Sequence, residues 1–149
     1  MVVVLAQLLA SLGGVGFFPA MPGTLATLVA AVLAWFLPTA QPVAMAAWAL
    51  GALGFGLIIV QLATRGHGDP SWVVIDELAG LWVALVGMPH HPFVFVMTII
   101  LFRFFDIKKP LGIALLQRMP GAWGVMFDDI AAGLMTGILM RVLLHIVPF

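Results

Sequence analysis

Residues 121–147, GAWGVMFDDIAAGLMTGILMRVLLHIV, set two adjacent carboxylates, Asp128 and Asp129, inside a run that is otherwise apolar nearly to the end of the chain. Ionised groups at that depth in a membrane-length helix are expensive, and they persist where they serve a purpose. A single acid near a helix start is accounted for by the helix dipole. Two neighbours repel each other and require counter-charge. Whatever fold the chain adopts must therefore bring compensating groups to this stretch. The bases within reach along the sequence are Arg103, Lys108 and Lys109, and the other acids are Asp69, Asp76, Glu77 and Asp106.

Only 8% of the 149 residues are charged and 64% are hydrophobic, whereas soluble domains carry about 25% charge. The apolar runs between polar clusters approach the roughly 20 residues that a membrane helix needs. The expected fold is therefore all-α: a polytopic integral membrane bundle of about five apolar helices, with a Gly/Pro-rich re-entrant loop near the N-terminus. It reads as a single transmembrane catalytic domain over residues 1–149. Six acids balance six bases, so no nucleic-acid partner is indicated. The absence of cysteine removes disulfides, thiolate metal sites and a cysteine nucleophile together. The N-terminus is apolar without a basic leader region and reads as part of the mature protein.

Residues 2–12 are too short to span and predict a partial or interfacial helix. GGVGFFPAMPG, residues 13–23, is too rich in Gly and Pro for regular helix. In lipid such backbone survives only where protein or water satisfies it, which predicts a cavity-lining loop whose N–H groups can receive an anion. Thr24, after Pro22-Gly23, is the expected N-cap of a first span ending near Leu37. A second span covers about Val43 to Ala63, and residues 64–71 form a polar loop. A third helix starts near Trp72, carries Asp76 and Glu77 in its first turns and runs to Gly87. A fourth runs from Phe93 to Ile107 with Arg103 and Asp106 near its end, and Pro110 forbids its continuation. A short amphipathic piece leads through Arg118 to the final helix.

With these spans counted alternately, every acid falls at one membrane face, beside the Gly/Pro loop. Arg65, Arg103, Lys108, Lys109 and Arg118 lie on that face and only Arg141 approaches the other. The positive-inside rule makes the acidic face cytoplasmic. Carboxylates from several helix ends, without cysteine, make a hard-oxygen site suited to Mg²⁺ or Mn²⁺ together with substrate phosphate. Lys and Arg beside it would grip phosphate oxygens. The inferred class is metal-dependent phosphoryl chemistry on a lipid headgroup.

Plainer readings exist for individual residues. Asp76, Glu77 and Asp128 each suit a first helical turn. Asp106 can pair locally with Arg103 at i, i+3, and Lys108 reads as an interfacial anchor. His67 reads as a loop residue, while His90, His91 and His145 lie toward the opposite face and are assigned no chemistry. Gly133 and Gly137 form a GxxxG pair whose default role is close helix packing. Other phosphatase plans fail on residue type, since no phosphate loop closed by Lys-Ser/Thr and no DxD spacing is present.

Four motifs together carry a resemblance: GVGFFPAMPGT, DPSWVVIDELAG, FRFFDIKKP and PGAWGVMFDDIAAG, in order between residues 14 and 133. The chain resembles the phosphatidylglycerophosphatase A family of membrane lipid phosphatases. The resemblance implies hydrolysis of phosphatidylglycerophosphate to phosphatidylglycerol and inorganic phosphate, Mg²⁺ dependence and a cytoplasmic-face site in the bacterial inner membrane. Carried over position by position, it selects Gly23 and Thr24, Asp69, Asp76 and Glu77, Arg103 with Asp106 and Lys109, and Asp128 with Asp129. As expectations, Asp76, Glu77, Asp128 and Asp129 hold the metal, and Asp106 joins them in catalysis. Gly23, Thr24, Asp69, Arg103 and Lys109 meet the substrate. Val15, Ala26, Ala122 and Leu111-Gly112 depart from the family pattern and bear on loop shape and substrate fit rather than on the acids. Two rivals remain: a small ion- or proton-coupled transporter lined by the same carboxylates, and a non-catalytic subunit whose acids pair with a partner.

Overall fold

The computed structural model describes residues 1–66 and 68–147, all helix, turn and loop with no strand among them. Seven helices follow in order: α1 Val2–Ala10, α2 Pro22–Trp35, α3 Pro42–Thr64, α4 Ile75–Ala84, α5 Pro92–Lys108, α6 Ile113–Leu116 and α7 Ala122–Ile146. Three of them open on proline at the first helical position, where φ is already helical and the missing N–H costs nothing.

Two helices, α3 with 23 residues and α7 with 25, are long and apolar enough to cross a membrane. At a rise of about 1.5 Å per residue they reach roughly 35 Å, against a hydrocarbon core of about 30 Å. The expectation of five such helices is not met by length. The helix α2 has 14 residues, α5 has 17 and α4 only 10. The third helix was expected over Trp72–Gly87. Instead Val73 N–H donates to Pro70 O in a turn before it, and Gly87 at φ 70° follows it.

The short α4 is the centre of the molecule. It packs against α7 most extensively, then against α3, α2 and α5. Its buried residues include Ile75, Asp76, Leu78, Ala79, Gly80, Leu81 and Ala84, so nearly its whole circumference is covered. One apolar cluster on it gathers Leu81, Leu85, Met88, Phe95 and Phe102, and a second gathers Val60, Ala79, Val125 and Met126. Outward residues such as Val43, Leu50 and Ile58 on α3, and Leu134 and Ile138 on α7, stay exposed. Apolar stripes of that extent mark a surface that lipid or protein covers.

Glycine sets the contact between α4 and α7. A methyl at Gly133 would occupy the space of the Gly80 carbonyl oxygen, and one at Gly80 would lie 2.6 Å from the Asp129 carbonyl oxygen. The two backbones therefore touch, as the GxxxG pattern led us to expect.

The N-terminal loop folds back on itself. Ser11 Oγ donates to Leu8 O at 3.0 Å and accepts from Gly14 N–H at 3.2 Å, and Gly16 N–H donates to Ser11 O at 2.9 Å. Gly16 lies directly against the Trp72 carbonyl, and the Phe17 and Trp72 rings stack at 5.6 Å. Irregular backbone is thus satisfied internally. The expected N-cap, Thr24, is a correction. Met21, at φ 54°, caps α2, Pro22 takes the first helical position, and Thr24 lies inside the first turn.

Candidate functional site

Four helix ends meet at one end of the bundle: the starts of α2, α4 and α7 and the finish of α5. Asp76 and Glu77 stand in the first turn of α4 and Asp129 in the second turn of α7. The close α4–α7 contact sets them face to face. Each offers a carboxylate oxygen within 4.8 Å of the others. Asp76 is 8% exposed and Asp129 3%. Asp76 Oδ1, Glu77 Oε2 and Asp129 Oδ2 are buried without a hydrogen-bond partner.

Buried anionic oxygens with no partner are costly, and three of them converging add mutual repulsion. A hard divalent cation answers both problems, because it takes oxygen ligands and cancels the charge. The donor set fits such an ion. These three acids can hold a metal.

Asp128 takes a different direction. Successive helical residues point about 100° apart, so Asp128 faces the end of α5 and not the three-acid group. It pairs there with Lys109 Nζ, which also lies 3.8 Å from Asp106 Oδ1. Arg103 donates to Asp106 Oδ2 at 2.6 Å and stands 3.8 Å from Glu77 Oε1. A continuous alternation results: Glu77, Arg103, Asp106, Lys109, Asp128. Arg103 Nε is buried without a hydrogen-bond partner. The pairing of Arg103 with Asp106 is local, as their i, i+3 spacing suggested, but Arg103 also stands against Glu77.

Lys109 caps α5 in the left-handed region at φ 44°. Partial burial is the largest influence and lowers its pKa, but the hydrogen bond and charge of Asp128, together with the charges of Asp129 and Asp106, raise it overall. It therefore remains a cation. Asp69, in the loop before α4, has its pKa raised by partial burial and then by the charge of Asp128, against the opposing pull of Lys109. It stands at the rim of the same charge network.

Gly23 is brought to the site by the absence of a side chain. A methyl there would press on Glu77 Oε1 and lie 3.2 Å from both terminal nitrogens of Arg103. Thr24 lies beside it, half-buried, in the uncapped first turn of α2. Lys108 is exposed and forms no ion pair among the described residues, in keeping with an anchor. His67 lies outside the described residues.

Two amides escaped the sequence reading. Gln61 Oε1 accepts from Ala122 N–H at 3.5 Å, capping α7 from α3. Gln117 lines a cavity of about 400 Å³ with Asp69, Met119, Gly121, Gly124 and Val125. Asp69, on its wall, is within electrostatic reach of Asp128 and Lys109. A lone amide in an apolar run was the available signal for Gln61. Gln117, in a short polar turn, offered none.

Comparison with known proteins adds three findings. The family model for phosphatidylglycerophosphatase A matches residues 8–144. A Bacteroides thetaiotaomicron protein provisionally named a phosphatidylinositol-3-phosphatase is 35% identical over 138 residues, which is 87% of each chain. Phosphatidylglycerophosphatase A of Escherichia coli K12 is 31% identical over 83% of this chain and 74% of its own, and its Haemophilus influenzae namesake 32% over 55% and 52%. No solved structure matches.

Proposed function

The chain belongs to the phosphatidylglycerophosphatase A family, and from that premise we propose that it hydrolyses the terminal phosphate monoester of phosphatidylglycerophosphate. The products are phosphatidylglycerol and inorganic phosphate. The observation that carries the reading is the group of Asp76, Glu77 and Asp129 beside Arg103 and Lys109. It offers a place for a cation next to a place for a phosphate.

In this reading Asp76, Glu77 and Asp129 hold Mg²⁺, which when bound polarises the phosphoryl group. Arg103 and Lys109 bind non-bridging phosphate oxygens as charge builds on them. Asp128 and Asp106 keep those two cations in place. The first turn of α2, with no side-chain cap and Gly23 pressed against Glu77, leaves N–H groups for a further phosphate oxygen. Overall the phosphorus–oxygen bond to the glycerol breaks, an oxygen derived from water replaces it, and the glycerol oxygen leaves with a proton.

The site lies at the cytoplasmic face of the bacterial inner membrane in this proposal. Five of the six bases flank the acids, and only Arg141, which donates to Val86 O at 2.5 Å near the other end, departs from them. A phosphatidylinositol 3-phosphate substrate is the second reading, favoured by the similarity to the Bacteroides protein. The transporter reading has no support, because all six acids collect at one end of the bundle.

The test is phosphate release by purified protein in detergent from each of the two lipids, with Mg²⁺ and then with EDTA. Release from phosphatidylglycerophosphate should exceed that from phosphatidylinositol 3-phosphate, require the metal and vanish in Asp129→Asn while that variant stays folded. EDTA-insensitive release, or near-normal turnover by Asp129→Asn, would remove the metal assignment.

A further inference from the structure

Gly121 is shared by two hollows, one lined mainly by apolar side chains and the other more polar. One is the polar cavity of about 400 Å³ lined by Gln117 and by Asp69, which feels the charges of Asp128 and Lys109. The other is a cleft of about 650 Å³ walled mainly by Leu57, Ile58, Leu62, Pro120 and Trp123, with the Gln61 amide at its Gly121 end. Its volume is within the range of roughly 300–1,000 Å³ usual for ligand sites. Ile58, Leu62 and Trp123 are exposed along it. The cleft runs along the last two turns of α3, one of the two membrane-length helices, and so adjoins an outer apolar face that includes Ile58 and Leu62.

We propose that this cleft seats an acyl chain of the lipid substrate, while the headgroup passes Gly121 through the polar cavity to the acids. The inference rests on the function proposed above and adds where the apolar end of the substrate binds. A phospholipid needs an apolar seat and a polar one in continuous space, with the change of character at its glycerol backbone. Here the two hollows meet at one residue. Gly121 holds φ 60° and ψ −140°, and a methyl on it would lie 2.8 Å from Gln61 Oε1. Any side chain at that position would narrow the junction.

Three other apolar grooves exist, along α2, between α1 and α4, and between α3 and α7 near Arg141. None of them shares a residue with the polar cavity. Continuity singles out the cleft at Gly121.

The test uses full-length Asp129→Asn protein, which retains unhydrolysed substrate, and phosphatidylglycerophosphate carrying a photoactivatable group on an acyl chain. Labelling should concentrate on the peptides containing Leu57 to Leu62 and Trp123, and excess unlabelled lipid should compete it away. In the otherwise native enzyme, Leu62→Trp should lower the ratio of kcat/KM for the diacyl lipid to that for its deacylated headgroup by about tenfold, the scale of a blocked apolar pocket. Ile58→Trp serves as a second filler should the first variant fail to fold. Labelling spread evenly over the outer faces of α2 and α7, or an unchanged ratio in both variants, would overturn the proposal. Cleft labelling by a protein that releases no phosphate from either substrate would uphold the cleft and remove the reaction.

Discussion

Gly133→Ala should damage the site without touching a charged residue. Gly133 lies one helical turn after Asp129, on the face of α7 that meets α4. The added methyl would sit on the Gly80 carbonyl oxygen, which is backbone and has no side-chain freedom to yield. The two helices must therefore separate, and Asp129 is carried away from Asp76 and Glu77. Overpacking of this kind costs about 1–3 kcal/mol. For a chain of this size each kcal/mol lowers Tm by about 2–4 °C. A loss of roughly 2–12 °C follows, together with a large rise in the Mg²⁺ concentration needed for activity. Gly137→Ala is the control. Its methyl would stand 3.3 Å from Ala84 O and 3.2 Å from a terminal nitrogen of Arg141, contacts that small shifts relieve. Alanine also favours helix over glycine by about 1 kcal/mol. Thermal unfolding in detergent and Mg²⁺ titration of phosphate release measure both variants. Should Gly133→Ala match the wild type in Tm and Mg²⁺ requirement, the backbone contact does not hold the acids together.

Mg²⁺ should stabilise the protein apart from turnover, by about 2.7 kcal/mol at a hundredfold excess over Kd. A thermal shift equally large in the Asp76→Asn, Asp129→Asn double variant would refute the three-acid assignment. Lys109→Met should be more destabilising than Asp128→Asn, since it strands a carboxylate whose side chain is 4% exposed, and such losses run about 3–5 kcal/mol. Combining the two should recover part of the loss, and strict additivity would show the pair to be energetically uncoupled. Asp69 holds its proton to higher pH folded than unfolded, so its contribution is intact in acid and declines as pH rises through the folded pKa. In EDTA, Asp69→Asn should gain Tm over the wild type at neutral pH, and the gain should fade on acidification. A gain independent of pH would contradict the raised pKa.

Much of this was legible in the chain itself. Pro42 and Pro92 open helices within one residue of where the apolar runs begin, and Pro110 follows the close of α5. The gathering of acids at one face follows from counting spans, because alternating helices must return to it. The parting of Asp128 from Asp129 is not readable from adjacency. It depends on which neighbours α7 meets around its circumference. The length of α4 was overestimated because apolar content alone does not reveal the turns at residues 70–74 and 85–88. Thr24 looked like a cap since Thr favours that role. The structure instead places a methionine at positive φ before Pro22, a conformation that composition does not advertise.

The left-handed turn at Lys109 has a consequence for anyone engineering this fold. Backbone chemistry asks for glycine at φ 44°, and an L-residue there forgoes roughly 1 kcal/mol or more. A redesign guided by backbone geometry alone would therefore select Lys109→Gly among its first substitutions, for about 1 kcal/mol at the helix end. It would also delete the ammonium that partners Asp128 and faces Asp106. Stranding the buried Asp128 costs about 3–5 kcal/mol, more than the backbone relief returns, so at this position the strained turn is held by the ion pair that it makes possible.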